Sequence, residues 1–119
     1  DQKKTFRSKL ISSIEPAIQW DLISNATKIN LYRIIQESLQ NINKYANADI
    51  ITVKLKKEES NLILEIIDDG VGFNSNKAKK GIGLQNIQSR SQECNGTVEI
   101  TSKLGEGTTI KITIALGYI

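Results

Sequence analysis

Four short groups of residues in this sequence carry side chains or backbone groups that can do chemistry. The first combines one carboxylate, one amide and one ammonium group, on Glu37, Asn41 and Lys44. At 3.6 residues per turn, this spacing places all three within a stripe of roughly 60° on a helix. The stripe is either a functional face or an ordinary solvated helix face, since both give this pattern.

The second group is Asp68-Asp69-Gly70-Val71-Gly72, which follows an apolar, strand-like segment. A sheet can hold the first aspartate rigidly, while Gly70 and Gly72 allow a sharp turn and a close approach of the backbone to a flat ligand. A carboxylate in such a pocket can accept a hydrogen bond from an exocyclic amine of the kind that adenine carries. An Asp-Gly turn between two elements is the alternative interpretation.

The other two groups are rich in glycine. Gly81-Ile82-Gly83-Leu84 precedes a helical pattern, so its backbone N–H groups and the helix dipole favour phosphate binding, although a flexible joint has the same composition. Gly105-Glu106-Gly107-Thr108-Thr109 combines hydroxyl groups with glycines that also suit a tight hairpin turn. The GxxxxGK[ST] pattern of a P-loop is absent.

The composition excludes several kinds of site. The 119 residues include one cysteine and no histidine, which excludes an internal disulfide, a Cys/His zinc site and histidine-based acid–base or nucleophilic catalysis. Catalysis would therefore depend on carboxylates, amides, lysines and a metal. The net charge of +3 is too small to predict binding to nucleic acid, but it suits an anionic small ligand.

The length predicts a single domain over residues 1–119. Apolar runs are interrupted by charged residues well before the ~18 residues of a membrane helix, so we expect no membrane contact from this part of the protein. The sequence begins at Asp1, contains no methionine and shows no signal-peptide pattern. We therefore interpret it as a cytoplasmic segment of a longer protein, and a membrane anchor elsewhere in that protein is compatible with this interpretation.

The elements that must position these groups follow from periodicity. Apolar residues at helical spacing predict a long amphipathic helix over about residues 28–46, with Ser24, Asn25 and Thr27 as candidate caps. The apolar residues of this helix should face the core, on the side opposite the polar stripe that contains Glu37. They are Leu31, Ile35, Leu39, Ile42 and Ala46. A second helix is predicted from Leu84 to Cys94, with Asn95-Gly96 ending it.

Alternating and apolar segments predict the strands. Residues 5–14 favour an edge strand, and residues 49–58 and 61–68 an antiparallel hairpin whose second strand is central. Residues 97–103 and 107–116 form a last hairpin, whereas the glycine, asparagine and lysine content of residues 70–83 is typical of a mobile loop. The predicted class is α+β, a two-layer α/β sandwich with a mixed, mostly antiparallel sheet covered by helices on one face.

The order ExxxN, DxGxG, GxGL and GxGT in one short α+β chain resembles the ATP-binding domain shared by gyrase, the heat-shock chaperone, histidine kinases and mismatch-repair ATPases. Within that superfamily, "LYRIIQESLQNINKYANA" and "GIGLQNIQSRSQECNGTVEITSKLGEGTTIKITI" are similar to the catalytic domain of two-component sensor histidine kinases. The subgroup they resemble is related to nitrate and desaturase sensors. The resemblance covers about residues 29–116.

The resemblance implies a role for each residue of the helical stripe. Asn41 matches the asparagine that holds Mg²⁺, and Lys44 matches the basic residue that reaches the phosphates. Glu37 matches the acidic residue one turn earlier, which in related ATPases orients or activates the attacking group.

The resemblance also implies a nucleotide pocket and a lid. Asp68 matches the aspartate that binds adenine, Gly70 and Gly72 the turn beneath the base, and Thr108 a hydroxyl that supports the adenine contact. The hinge of a lid over the phosphates is matched by the motif that contains Gly81, Gly83 and Leu84.

The implied function is an ATP- and Mg²⁺-binding catalytic domain that donates the γ-phosphoryl group of ATP, leaving ADP, to a histidine. That histidine would lie on a dimerisation domain preceding Asp1, and a response regulator would be the next partner. One alternative is a protein serine kinase of the same superfamily that resembles an anti-sigma factor. The other is a non-catalytic nucleotide-binding module that only transmits conformational change.

Overall fold

The computed structural model describes residues 9–43, 47–72 and 84–116 of the chain. The elements, in chain order, are β1 (Lys9–Ile14), a 3-10 helix (Trp20–Leu22), α1 (Asn25–Asn41), β2 (Ile50–Glu58), β3 (Asn61–Asp68), α2 (Leu84–Glu93), β4 (Gly96–Lys103) and β5 (Gly107–Ala115). Across these residues no helix is long and apolar enough to cross a bilayer. The sequence did not predict the 3-10 helix, because three residues are too few for a periodic pattern.

The five strands form one mixed sheet in the order β1-β2-β3-β5-β4. β1 runs parallel to β2, and the other neighbouring pairs are antiparallel. β1 lies at the edge of the sheet, as predicted for residues 5–14. Residues 5–8 of that predicted strand lie outside the described residues. β3 is central as predicted, because it pairs with β2 on one side and with β5 on the other, and its successive residues Leu62, Ile63 and Leu64 are all buried.

The core lies between one face of the sheet and the two helices. β2, β3 and β5 contribute alternate residues to it, the helices contribute Leu31, Ile34 and Ile87, and Ile42 follows directly at the end of α1. The opposite face of the sheet carries Lys54, Glu65 and Lys111, which are exposed or half-buried. The helices therefore cover one face only, and the predicted two-layer α+β sandwich is confirmed.

α1 begins earlier than predicted. The Ser24 Oγ atom accepts a hydrogen bond from the Thr27 N–H at 3.1 Å and caps the helix, which starts at Asn25 instead of residue 28. Ser24 was one of three candidate caps, and sequence alone did not choose among them. The helix extends to Asn41, and residues 44–46 of the predicted segment lie outside the described residues.

The buried face of α1 includes the described members of the predicted apolar set but is wider than predicted, since Leu31 and Ile42 are buried and Ile35 and Leu39 pack against the core. Ile34 and Ser38 are completely buried, whereas Ile35 of the predicted apolar set is only half-buried. Since each residue turns a helix by about 100°, Ile34 and Ser38 extend the buried face toward Glu37 and Asn41, which are half-buried instead of facing away from the core. The predicted set was incomplete, because it omitted Ile34 and because an apolar pattern does not register the buried hydroxyl of Ser38. The Ser38 hydroxyl donates to the Ile34 carbonyl at 2.8 Å, which allows its burial.

α2 presents its predicted face to the core, as far as the described side chains show. Ile87, Ser91 and Cys94 are all buried along it. The Ser91 hydroxyl donates to the Ile87 carbonyl at 2.8 Å, so no polar group is left unpaired at that position. Asn95 has a φ of 61°, the left-handed conformation that ends a helix, as the Asn-Gly pair predicts.

Candidate functional site

Three polar side chains form a row across one end of the sheet. Asp68 is the last residue of β3, Thr108 is its partner on β5, and Ser102 is the partner of Thr108 on β4. Directly paired residues of antiparallel strands project from the same face, here the face that the helices cover. Asp68 is 5% exposed and Ser102 9%, while Thr108 is half-buried. An otherwise apolar face therefore ends in one carboxylate and two hydroxyls.

The Asp68 carboxylate is oriented by the turn that follows it. Its Oδ1 atom accepts a hydrogen bond from the Gly70 N–H at 2.8 Å. Burial raises the pKa of Asp68 above its ordinary value, as does the neighbouring charge of Asp69, while the backbone N–H groups of Gly70 and Thr108 oppose the shift. A carboxylate held in this way is a directed acceptor for a ligand that can donate hydrogen bonds.

Two glycines let the loop after β3 pack against the turn between β4 and β5. A Cβ atom on Gly72 would lie 2.1 Å from the carbonyl oxygen of Lys103, and one on Gly107 would lie 2.1 Å from that of Asp68. Both glycines also have positive φ, 66° and 89° respectively. No other residue type satisfies both conditions, so these glycines fix the distance between the loop and the turn.

A backbone hydrogen bond joins the same two segments. The N–H group of Gly105, in the turn, donates to the carbonyl of Val71, in the loop, at 2.6 Å. Together with the two close approaches, this bond makes one rigid wall from parts of the chain that lie about thirty residues apart.

The second aspartate of the motif, Asp69, ties this wall to the start of β2. Its Oδ1 atom accepts hydrogen bonds from the N–H groups of Asp49 at 2.8 Å and Ile50 at 2.9 Å. The bonds from Ile50 and Asp49 lower the pKa of Asp69. Asp49 and Ile50 lie between α1, which ends at Asn41, and the rest of β2. The hydrogen bonds of Asp69 therefore connect this part of the chain to the end of β3, where Asp68 lies.

We expect Asp69→Asn to reduce thermal stability at neutral pH more than in acid. Since the Asp69 pKa is lower in the folded than in the unfolded chain, ionised Asp69 stabilises the fold above the unfolded value of 3.8, and this contribution is lost as the pH falls through the folded pKa. Melting temperatures followed by circular dichroism between about pH 7 and pH 3 should show the two chains converging in acid. Asp21→Asn, at an exposed carboxylate, is the control, and a difference independent of pH would contradict the expectation.

Asn41 and Glu37 lie on the last two turns of α1 and are half-buried. Among the described residues, the Asn41 Nδ2 atom is buried and has no hydrogen-bond partner. Buried amides are rarely left unpaired, because the cost is about 1–3 kcal/mol. The Asn41 amide is therefore suited to form its missing hydrogen bond with a ligand.

Part of the predicted site lies outside the described residues. Lys44, Gly81 and Gly83 belong to that part, as does most of the predicted mobile loop, residues 73–83. Leu84, the last residue of the GxGL motif, is the first residue of α2, which agrees with the predicted start of that helix.

The family model described as "Histidine kinase-, DNA gyrase B-, and HSP90-like ATPase" matches residues 26–117, which contain all of the predicted site. The chain belongs to this ATPase family. The match confirms the resemblance inferred from the order of the four motifs, while the nitrate and desaturase subgroup stays a prediction.

Relatives of this ATPase domain include sensor histidine kinases. The chain is 38% identical over 94 residues to the oxygen sensor histidine kinase NreB of Staphylococcus carnosus, covering 77% of this chain and 27% of the relative. It is 36% identical over 112 residues to the sensor histidine kinase LiaS of Bacillus subtilis, covering 93% of this chain and 31% of the relative. The chain thus spans less than a third of the length of these relatives.

Solved structures share the fold of the domain. The blue-light activated histidine kinase of Erythrobacter litoralis EL346 superposes with a TM-score of 0.80 at 18% identity, over 94% of this chain and 36% of that one. The histidine kinase AdeS of Acinetobacter baumannii gives 0.73 at 17% identity, over 98% and 59%. The predicted histidine kinase ATPase fold is therefore confirmed.

Within the ATPase domain, the structure brings Asp68, Gly70, Gly72 and Thr108 together as the motifs predicted. Sequence reasoning missed three contributors, which are Asp69, Ser102 and Gly107. Gly107 lay in a motif already singled out, but the carbonyl that it approaches is 39 residues away. Ser102 had a usable signal, because a three-residue turn after residue 103 pairs it with Thr108.

Proposed function

We propose that this ATPase domain binds ATP with Mg²⁺ and supplies the γ-phosphoryl group to a histidine on a separate dimerisation domain. The chain contains no histidine, so the acceptor must be provided from outside residues 1–119, which we treat as one domain. A response regulator, as the next acceptor, and a cytoplasmic location, where ATP is available, belong to the same proposal. It is supported by the names of the relatives and by the polar row at the end of β3.

The observation that carries the proposal is the buried, oriented carboxylate of Asp68. It is 5% exposed and is held by backbone N–H groups of Gly70 and Thr108, and since a carboxylate has about four acceptor positions, it can still accept a hydrogen bond from a ligand. The exocyclic amine of adenine is such a donor. Thr108 lies beside it on the neighbouring strand, and Gly70 and Gly72 keep the wall of the pocket free of side chains.

The residues at the end of α1 fit the phosphate end of the nucleotide and its metal. The unpartnered amide of Asn41 can offer its oxygen to a cation or its N–H to a phosphate, because the two orientations differ by a half-turn. Mg²⁺, when bound, would neutralise charge on the phosphate oxygens. Lys44 would add a positive charge, and Glu37, one turn before Asn41, would orient the attacking group.

The motif before α2 completes the proposed phosphate site. The backbone N–H groups at the start of α2, with Gly81, Gly83 and Leu84 in the hinge, would bind the phosphates through the positive end of the helix dipole. The contribution of these residues to phosphoryl transfer is then positioning and charge stabilisation, which provide most of the rate enhancement in such reactions.

Loss of the Asn41 amide should remove most of the effect of Mg²⁺ on nucleotide binding. Asn41→Ala is expected to reduce the Mg²⁺-dependent gain in ADP affinity by about tenfold, the equivalent of ~1.4 kcal/mol. Calorimetric titrations with and without Mg²⁺ measure it. Asn43→Ala is a matched control, because Asn43 is the same residue type but exposed. An Mg²⁺ effect that survives intact in Asn41→Ala would remove Asn41 from the metal site.

Transfer of label from γ-labelled ATP tests the reaction itself. The chain is mixed with a histidine-bearing dimerisation domain or with a serine-bearing substrate, and phosphorylation of the histidine alone is expected. Phosphorylation of serine would favour the serine kinase, and nucleotide binding without any transfer would favour a module that only transmits conformational change.

A further inference from the structure

A buried serine stands behind the hydroxyl of Thr108. The Ser102 Oγ atom lies 2.7 Å from the Thr108 Oγ1 atom and 3.1 Å from the carbonyl oxygen of Gly107. Ser102 is 9% exposed, whereas Thr108 is half-buried and is the direct cross-strand partner of Asp68. Ser102 is thus one strand further from Asp68 than Thr108 is, and neither the motifs nor the proposed function gives it a role.

The contacts of the Ser102 hydroxyl with Gly107 and Thr108 indicate which way the hydrogen bonds among these three residues run. A carbonyl oxygen can only accept, so Ser102 must donate its single hydroxyl hydrogen to Gly107. In the contact with Thr108, the threonine is then the donor and Ser102 the acceptor. The hydrogen bonds run in one direction, from Thr108 through Ser102 to the Gly107 backbone.

This direction determines what Thr108 offers to a ligand. Once its hydrogen is committed to Ser102, the Thr108 oxygen has only lone pairs left, and it acts as an acceptor. The ionised carboxylate of Asp68 in the neighbouring position is also an acceptor. Two acceptors side by side suit a group that donates, and they disfavour one that accepts.

We propose that Ser102 is a positioning residue that fixes the Thr108 hydroxyl as an acceptor toward the base and so selects a 6-aminopurine over a 6-oxopurine. This role rests on the proposed nucleotide site and adds to it the source of base selectivity. Without Ser102, the Thr108 hydroxyl rotates freely and can donate to a 6-oxo group as readily as it accepts from a 6-amino group.

The test compares ADP with inosine diphosphate, which carries an oxo group where ADP carries the amine and a hydrogen on N1 where ADP has a lone pair. Purine riboside diphosphate, which lacks the amine but keeps the N1 lone pair, separates the two changes. Ser102→Ala should lower the ratio of ADP affinity to inosine diphosphate affinity by about tenfold, because a hydroxyl of fixed direction becomes one of either direction. The loss should consist of weaker ADP binding together with unchanged or tighter binding of inosine diphosphate. Calorimetry on the 119-residue chain with Mg²⁺ measures the affinity of each ligand.

Three further variants distinguish an effect of the Thr108–Ser102 hydrogen-bond direction from an effect of lower fold stability. Ser102→Thr keeps the hydroxyl on a strand residue and should retain the wild-type ratio. Ser91→Ala is the matched control, because Ser91 is another buried serine with a hydrogen bond to a backbone carbonyl. Ser102→Cys replaces the hydroxyl with a poor hydrogen-bonding group of similar size, and it serves as the loss variant if Ser102→Ala does not fold.

The pair of hydroxyls should also behave as one unit. Thr108→Val is expected to lower the ratio about as much as Ser102→Ala, and the double variant should lower it little further, since both changes remove the same acceptor. If the two losses multiply, or if Ser102→Ala weakens both ligands by one common factor, Ser102 has only a structural role and the proposal is wrong. A wild-type chain that binds neither ligand would instead overturn the proposed nucleotide site and, with it, this role.

Discussion

Asparagine in place of Asp68 should weaken ADP binding by roughly 30-fold or more, which corresponds to about 2 kcal/mol. A carboxylate only accepts hydrogen bonds, whereas the amide also presents donors, and one of these would face the exocyclic amine in a pocket that excludes water. Asp68 is 5% exposed, so water cannot easily compensate for the mismatch. Calorimetry on the folded variant measures the change.

The stability of the same variant provides the control. Burial raises the pKa of Asp68, so the folded chain binds this proton more tightly than the unfolded chain does. Its contribution favours the fold in acid and is lost as the pH rises through the folded pKa. Asp68→Asn removes that titration, so the variant should be at least as stable as wild type at neutral pH. Unchanged ADP affinity in such a folded variant would show that Asp68 does not bind adenine.

The strands and the nucleotide motifs could be predicted because their signals are local. Alternation and turn residues placed β2, β3 and β5 within one or two residues of their observed bounds. These patterns did not pair β3 with β5, so the position of Thr108 next to Asp68 was implied only by the family resemblance, and the structure shows the strand register that produces it. Local signals also identified α2 and its end at Asn95.

The sequence was least informative where polar side chains are buried. Ser38 and Ser102 satisfy their hydroxyls with backbone carbonyls, and a hydrophobic pattern does not register such residues as core. For this reason Ser38 was left out of the predicted buried face of α1, and the hydroxyl behind Thr108 was missed. The hydrogen bonds of Asp69 were also hidden, because they join segments 19 and 20 residues apart.

Close approaches between distant backbones are hidden from sequence for a related reason. A GxG pattern indicates a turn, but it does not show which glycine has an open environment and which one touches another strand. Here Gly105 has a φ of 80°, and a Cβ atom added to it would have nothing within 4 Å, while Gly107, two residues later, meets the Asp68 backbone. Alanine substitutions at Gly105 and Gly107 can therefore be compared to measure how much the close approach of Gly107 to the Asp68 backbone contributes to the free energy of unfolding.

Gly107→Ala should destabilise the fold by about 3 kcal/mol or more, because the new methyl group adds a steric clash to an unfavourable positive φ. The Cβ atom would lie 2.1 Å from the Asp68 carbonyl oxygen, and since that atom belongs to the backbone, a side-chain rotation cannot relieve the clash. Gly105→Ala has the same conformational strain without the clash, so it should cost only about 1 kcal/mol. Urea unfolding of both variants measures the difference.

The clash also has a consequence for the nucleotide site. To accept the methyl group, the end of β3 must move away from β5, and Asp68 moves with it because the contacted oxygen is its own. Gly107→Ala should therefore weaken ADP binding even under conditions where the chain remains folded, while Gly105→Ala should leave ADP affinity close to wild type. Equal unfolding energies for the two variants would show that the sheet adjusts to the methyl group, and that the spacing between Gly107 and Asp68 does not hold the carboxylate in place.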